Sequence, residues 1–203
     1  MKLYFSPGAC SLSPHIVLRE AGLHFDLDQV DLSTKKTTEG ADYGGINPNG
    51  YVPSLQLANG DVLTEGPAIV QYIADLVPEK HLAPAIGSLE RYHLMSTLNF
   101  ISTELHKTFG PLFKSTTSQE VRNAALAALA KRMAYVSDRL TKSPFFCGVQ
   151  FSVADAYLFT VLSWSRHVKF DLSPWPAVVS YLERIAARPA VHAALVAEGL
   201  VKS

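Results

Sequence analysis

Apolar and polar positions keep two different rhythms along this chain. From Met1 to Val77 short apolar runs alternate with turn residues, whereas after Pro84 the pattern reads as helical throughout. In the first part, Lys2 to Phe5 predicts a short strand and Ser6-Pro7-Gly8-Ala9 a loop. Ser13-Pro14 supplies an N-cap and a first-turn proline for a helix through Glu20, which Gly22 stops. Phe25 to Leu32 alternates in part as a second strand and leads into the polar run Thr34 to Asp42. After the breaker-rich Ile46-Asn47-Pro48-Asn49-Gly50, two short strands, Ser54 to Leu57 and Asp61 to Leu63, flank Asn59-Gly60. That dipeptide predicts a tight hairpin because both of its residues tolerate positive φ. Glu65-Gly66-Pro67 then opens a helix through Leu76, completing the order β-α-β, connection, β-β-α.

Pro78 and Pro84 bracket a linker, Glu79 to Ala83. Ser88 caps a long helix running to about Phe109, and Thr117-Ser118-Gln119-Glu120 forms a capping box for a helix through Leu140. Phe151-Ser152-Val153-Ala154-Asp155 holds a second capping box with Phe151 placed as a hydrophobic staple. Ser152 and Asp155 are therefore assigned to folding rather than catalysis. One helix follows Pro174 and Pro176, and Arg188-Pro189 separates it from the last. The domains expected are residues 1–80 and 87–203, with no internal repeat.

Composition narrows the function. With 203 residues, 48% hydrophobic and 18% charged, the chain has the make-up of a globular protein. Eighteen Lys plus Arg balance 18 Asp plus Glu, so the basic footprint of a nucleic-acid or anionic-membrane binder is missing and small molecules become the expected partners. Two cysteines, Cys10 and Cys147, are too few for a disulfide framework or a four-ligand zinc site; no metal is expected, and a reducing compartment fits. The apolar stretch Leu3-Tyr4-Phe5 is far shorter than a signal peptide requires, and Ala156 to Ser165 is shorter than a membrane span of ~20 residues. A soluble cytoplasmic protein is expected.

Cys10 lies between the first strand and the first helix, where helix N–H groups and dipole favour a thiolate. The position alone leaves an inert packed cysteine equally open. Cys10-Ser11-Leu12-Ser13 has the layout of a redox Cys-x-x-Cys with serine for the resolving cysteine, so thiol chemistry there requires an external thiol. Cys147, before Gly148 in an apolar turn, is expected to pack. Pro53 marks a strand start or turn; were the Val52–Pro53 bond cis, the Val52 backbone would turn outward toward an extended, peptide-like ligand. At Glu65-Gly66 the helix start offers amide donors for a carboxylate, with Glu65 suited to an ammonium group or simply exposed.

The Cys10 loop, Asn47-Pro48-Asn49-Gly50-Tyr51-Val52-Pro53, Leu63-Thr64-Glu65-Gly66, Glu104-Leu105-His106-Lys107 and Phe151-Ser152-Val153-Ala154-Asp155-Ala156-Tyr157 occur in register over the whole chain. In that order they resemble the bacterial beta-class glutathione S-transferases. The resemblance implies the glutathione transferase fold, α/β plus all-α: a thioredoxin-like glutathione-binding domain, then an all-helical domain with a second-substrate site, in a homodimer. It implies that the backbone of Val52 beside a cis-Pro53 meets the cysteinyl part of glutathione. Glu65 and the Gly66 amide would hold the γ-glutamyl ammonium and carboxylate, Lys35 the glycine carboxylate, and Cys10 and His106 would lie near the glutathione sulfur. Asn99, Thr103, Glu104, His106 and Lys107 match positions lining the site, Glu104 reaching in from a partner subunit. Asn99, Thr103, His106 and Lys107 also share one face at helical spacing, as a solvated stripe does.

Phe5 stands where relatives often have tyrosine, Gly66 replaces a serine usual in the wider superfamily, and Thr97 and Thr108 replace residues that are often tryptophan and glycine. The activity implied is conjugation of the glutathione thiolate, the co-substrate, to small apolar electrophiles in detoxification. Phe109, Tyr157 and Trp164 are core residues or walls for the electrophile. Two other readings stand beside it: a glutathione-dependent thiol-disulfide reductase using Cys10, and a non-catalytic carrier. Lys35, His106 and Lys107 are the local cations expected to act on the anionic tripeptide.

Overall fold

The computed structural model describes residues 1–202, which form two compact units, one of residues 1–83 with the chain from Arg188 onward and one of residues 84–187. In the first unit β1 (Lys2–Phe5) is followed by α1 (Leu12–Ala21), β2 (Asp26–Asp31), β3 (Lys36–Thr37), β4 (Ser54–Gln56), β5 (Val62–Thr64) and α2 (Gly66–Leu76). The sheet order is β3-β2-β1-β4-β5, with β1 parallel to β2 and antiparallel to β4. This mixed five-stranded sheet is the thioredoxin-like arrangement expected.

Strand alternation sorts β1 between two layers. Leu3, register partner of Leu55, is fully buried, and Phe5 meets the ring of His15 from α1. Between them Tyr4 points to the opposite face and joins Val30, Tyr43 and Val52 in a second cluster. α1 buries Leu12, Ile16, Val17 and Leu18, and α2 buries Ile69, Val70 and Ile73.

Local signals held where spacing alone decides and shifted where tertiary bonds compete. Gly22 ends α1 in the left-handed conformation, as expected. The helix starts at Leu12 rather than after Ser13, because Ser11 occupies the N-cap while its hydroxyl bonds to Ser6 instead of capping. Pro14 is tolerated one turn in because the first four helix N–H groups have no intrahelical partner. The hairpin forms, but only Gly60 takes positive φ; Gly60 N–H donates to Leu57 and Leu57 N–H to Asp61, a three-residue loop in place of the two-residue turn.

The last helix, α9 (Pro189–Ala197), packs on α1, with Arg188 holding Glu20 through two bonds of 2.7 and 2.9 Å. Just beyond it the Glu198 carboxylate accepts from Gly8 N–H at 2.8 Å and meets His15 Nδ1 at 2.8 Å, with both side chains fully buried.

The second unit is helical: α3 (Leu89–Phe100), a π-helical turn Ile101–His106, α4 (Lys107–Phe113), α5 (Gln119–Lys142), α6 (Val153–Ser163), the short α7 (Ser165–Val168) and α8 (Pro176–Ala186). Ser88 caps α3 as expected, accepting from Arg91 N–H. The helix continues to Phe113 rather than ending near Phe109, and the π turn inside it was not signalled by the pattern. α5 is capped by Ser118, which accepts from Val121 N–H, while the Thr117 hydroxyl turns back to Pro111, so the box at Thr117 does not form. α6 is buried from Val153 to Leu162, which accounts for its nearly unbroken apolar sequence. The tight turn Phe145–Gly148 buries Phe146 and leaves Cys147 exposed, correcting the packed cysteine expected. Among the described residues no helix is long and apolar enough to cross a membrane.

Candidate functional site

In the first unit three of the sequence motifs converge. The loop after β1 is closed at its base by a reciprocal pair, Ser6 N–H to the Ser11 hydroxyl at 3.1 Å and that hydroxyl to the Ser6 carbonyl at 3.2 Å. Cys10 follows on the rim, and its thiol donates to the Val52 carbonyl at 3.2 Å. The Val52–Pro53 bond is cis, and a Cβ placed on Gly66 would stand 3.8 Å from the Pro53 ring. Glu65, at the N-cap of α2, has φ 67 and ψ 109, a region that non-glycine residues rarely occupy and that concentrates at functional sites. Lys35, also at positive φ, extends its ammonium to the Gly50 carbonyl at 2.6 Å.

The electrostatics of Cys10 run against the sequence expectation. Burial raises its thiol to about 12, outweighing the lowering by the N–H groups of Cys10 and Ser11, and Glu65 adds to the rise. At neutral pH Cys10 is therefore a protonated thiol and a donor, not the thiolate that a helix N-terminus alone would favour.

In the second unit Asn99, Thr103 and Lys107 are exposed, as a stripe at helical spacing predicts. His106 leaves that stripe. The wider π turn sets Ile101, Leu105 and Phe109 inward at intervals of four and carries the His106 ring against the Trp164 ring, 4.8 Å between centroids, with Nδ1 2.7 Å from the Tyr157 hydroxyl. Burial first, and Lys107 second, lower His106 to about 4, so at pH 7 it is a neutral hydrogen-bonding group and not one of the expected cations. Its ring NMR signals are expected to titrate with a midpoint near about 4; a midpoint at the ordinary ~6.5 would overturn this placement. Glu104 pairs with Arg132 of α5 in the same chain, a partner the sequence reading missed. Phe109, Tyr157 and Trp164 are all buried, which assigns them to the core, whereas Phe113 is exposed beside Trp164.

The remaining omissions are buried polar residues. Tyr43 and Ser54 lie under the Val52 loop and His15 and Glu198 under the Cys10 loop, and no short-range spacing marks any of them. No group of three or more His, Cys, Asp or Glu side chains suited to a metal occurs among the described residues.

Known proteins resemble the chain along its length. Residues 8–76 match the family Glutathione S-transferase, N-terminal domain, and residues 100–189 match Glutathione S-transferase, C-terminal domain. Glutathione S-transferase GstA of Escherichia coli O157:H7 is 48% identical over 98% of this chain and 100% of its own. A sphingomonad glutathione S-transferase complexed with glutathione is 49% identical with a TM-score of 0.96, covering 99% of this chain and 100% of that one. The bacterial beta-class glutathione S-transferase of Sphingomonas chungbukensis is 50% identical, also with a TM-score of 0.96 and coverage of 99% and 100%.

Proposed function

The chain belongs to the glutathione S-transferase family, with its full-length likeness to the bacterial beta class, and from that premise we propose that it joins the sulfur of glutathione to small, mostly apolar electrophiles in detoxification. In that reaction the glutathione thiol gives up its proton to solvent and its sulfur forms a bond to carbon. The carbon–leaving-group bond breaks, and the leaving group departs with the electron pair.

The observation that carries this reading is the convergence of Cys10, Val52–Pro53 and Glu65–Gly66. Glu65 takes the γ-glutamyl ammonium, the Gly66 N–H the γ-glutamyl carboxylate, the Val52 backbone the cysteinyl part, and Lys35 the glycine carboxylate in exchange for the Gly50 carbonyl. Asn99, Thr103, Glu104, His106 and Lys107 contribute from the helical part, His106 as a neutral donor or acceptor. Residues 1–80, with the last helix packed on α1, serve as the glutathione-binding domain, and the helices from residue 87 up to that last helix as the second-substrate domain, of a cytoplasmic homodimer. Exposed Leu89, Tyr92 and Met95, spaced three apart along α3, supply an apolar face for a second copy.

A thiol held near pKa 12 favours a donor role for Cys10 and disfavours Cys10 as the nucleophile of a disulfide reductase. The test is Cys10→Ala, assayed for conjugation to an aryl halide and for reduction of a glutathione mixed disulfide. Conjugation is expected to survive within about tenfold, the worth of one hydrogen bond. Loss of conjugation by ~10³ or more would make Cys10 the reacting group, and wild type that fails to bind free glutathione in calorimetry would sink the reading altogether.

A further inference from the structure

Val52 is 3% exposed, yet among the described residues its peptide N–H meets no hydrogen-bond acceptor. Buried N–H groups are nearly always paired, so an unpaired one asks for a physical reason. The other end of the same peptide unit is heavily bonded. The Tyr51 carbonyl accepts from the Asn47 side-chain amide at 2.8 Å and from the Tyr43 hydroxyl at 3.2 Å.

Both donors are themselves held. The Asn47 side-chain oxygen accepts from Asn49 N–H at 3.1 Å, which fixes the amide with its nitrogen toward Tyr51. The Tyr43 hydroxyl lies 2.8 Å from the Ser54 hydroxyl; with the tyrosine proton on the Tyr51 carbonyl, Ser54 is the donor to Tyr43, giving a relay from Ser54 through Tyr43 to Tyr51. All three side chains are buried.

The Tyr51–Val52 bond is trans, since the cis bond lies one residue later. In a planar trans peptide the C=O and N–H point in opposite directions. Two donors gripping the carbonyl from the Tyr43 side therefore turn the Val52 N–H the other way and resist rotation of the unit as a whole.

We propose that Tyr43, Asn47 and Ser54 are positioning residues that, by pinning the Tyr51 carbonyl, aim the Val52 N–H at the cysteinyl carbonyl of bound glutathione. The inference rests on the reading that the Val52 backbone meets the cysteinyl part of glutathione, and it adds the device that makes Val52 ready before the ligand arrives. A peptide unit free to rotate would present its N–H only part of the time, and affinity would fall by that fraction.

Tyr43→Phe removes only the hydroxyl and keeps the ring that sits 5.7 Å from Tyr4. Calorimetry is run on wild type and variant with two ligands, glutathione and an analogue whose Cys–Gly amide is replaced by a trans-alkene, which has no cysteinyl carbonyl. Wild type is expected to bind glutathione about tenfold more tightly than the analogue. Tyr43→Phe is expected to weaken glutathione about fivefold while changing analogue binding less than about twofold. A variant that loses both ligands equally, or neither, overturns the positioning role, since a purely structural tyrosine cannot distinguish the two. Wild type that binds both ligands alike overturns the Val52 reading itself, and the inference with it. Ser54→Ala, which removes the donor behind Tyr43, is expected to show the same ligand selectivity at smaller size and decides the matter if Tyr43→Phe does not fold.

Discussion

Glu198→Ala is expected to destabilise the protein by about 3–5 kcal/mol, lowering Tm by roughly 6–20 °C for a chain of this size. The reason lies in what the substitution strands. Arg19 Nε–H donates to His15 Nε2 at 2.9 Å, so Nε2 is the acceptor and the ring proton sits on Nδ1, directed at Glu198. The other Glu198 oxygen receives Gly8 N–H. Removing the carboxylate leaves a buried imidazole N–H without its acceptor and takes from Gly8 N–H the 2.8 Å bond it made to Glu198. Glu198→Gln keeps the shape and one acceptor oxygen but turns an NH₂ toward one of the same donors, so an intermediate loss is expected. His15→Ala removes the other partner and leaves Glu198 as a buried carboxylate with Gly8 N–H as its remaining donor among the described residues. The three variants are compared by thermal unfolding, with the double variant completing a cycle. If Glu198→Ala melts within about 2 °C of wild type, the pair contributes less than ~1 kcal/mol and this account of the loop is wrong.

That network also marks where sequence reasoning stops. Gly22, Ser88 and the hairpin at Gly60 were legible because each obeys a rule acting over a few residues: a left-handed cap, an N-cap oxygen, a positive-φ turn. Glu198 reaches Gly8 across 190 positions, and nothing near Glu198 in the chain separates it from an exposed terminal glutamate. The glutathione motifs were legible as a set, through resemblance, but their electrostatics were not. Helix position favours a Cys10 thiolate, and only the packing around the thiol shows that desolvation wins. His106 was placed on the polar stripe with Asn99 and Thr103 by 3.6-residue spacing, and a π turn, which that spacing cannot represent, moved it onto Tyr157 and Trp164. Cys147 illustrates the same limit at short range: a turn of four residues buries one of two adjacent positions, and the apolar surroundings gave no sign that Phe146 would be the one.

Asp155→Ala is expected to cost as much as or more than the loss of Glu198, although sequence spacing alone suggests a capping loss of ~1 kcal/mol. The capping box is real: the Asp155 carboxylate accepts from Ser152 N–H at 2.9 Å and from the Ser152 hydroxyl at 3.0 Å. Its second oxygen serves a purpose the box does not require, accepting from Phe146 N–H at 2.8 Å and from the Tyr181 hydroxyl at 3.1 Å. One fully buried carboxylate thus ties the start of α6 to the Phe145–Gly148 turn and to α8. Burial raises its pKa, and the four bonds oppose that rise, as they must for the group to be tolerated inside. Alanine would leave the Phe146 and Ser152 donors unsatisfied at about 1–3 kcal/mol each, less whatever the unit recovers by relaxing, while the Tyr181 hydroxyl keeps the backbone carbonyl of position 155 at 3.2 Å. Ser152→Ala and Tyr181→Phe remove single donors and are expected to cost about 1 kcal/mol apiece. The informative quantity is the ratio. If denaturant unfolding shows Asp155→Ala no worse than Ser152→Ala, Asp155 acts only as a helix cap; a loss several times larger makes it the joint that holds three segments of the helical unit in register, with the cap as one of its bonds.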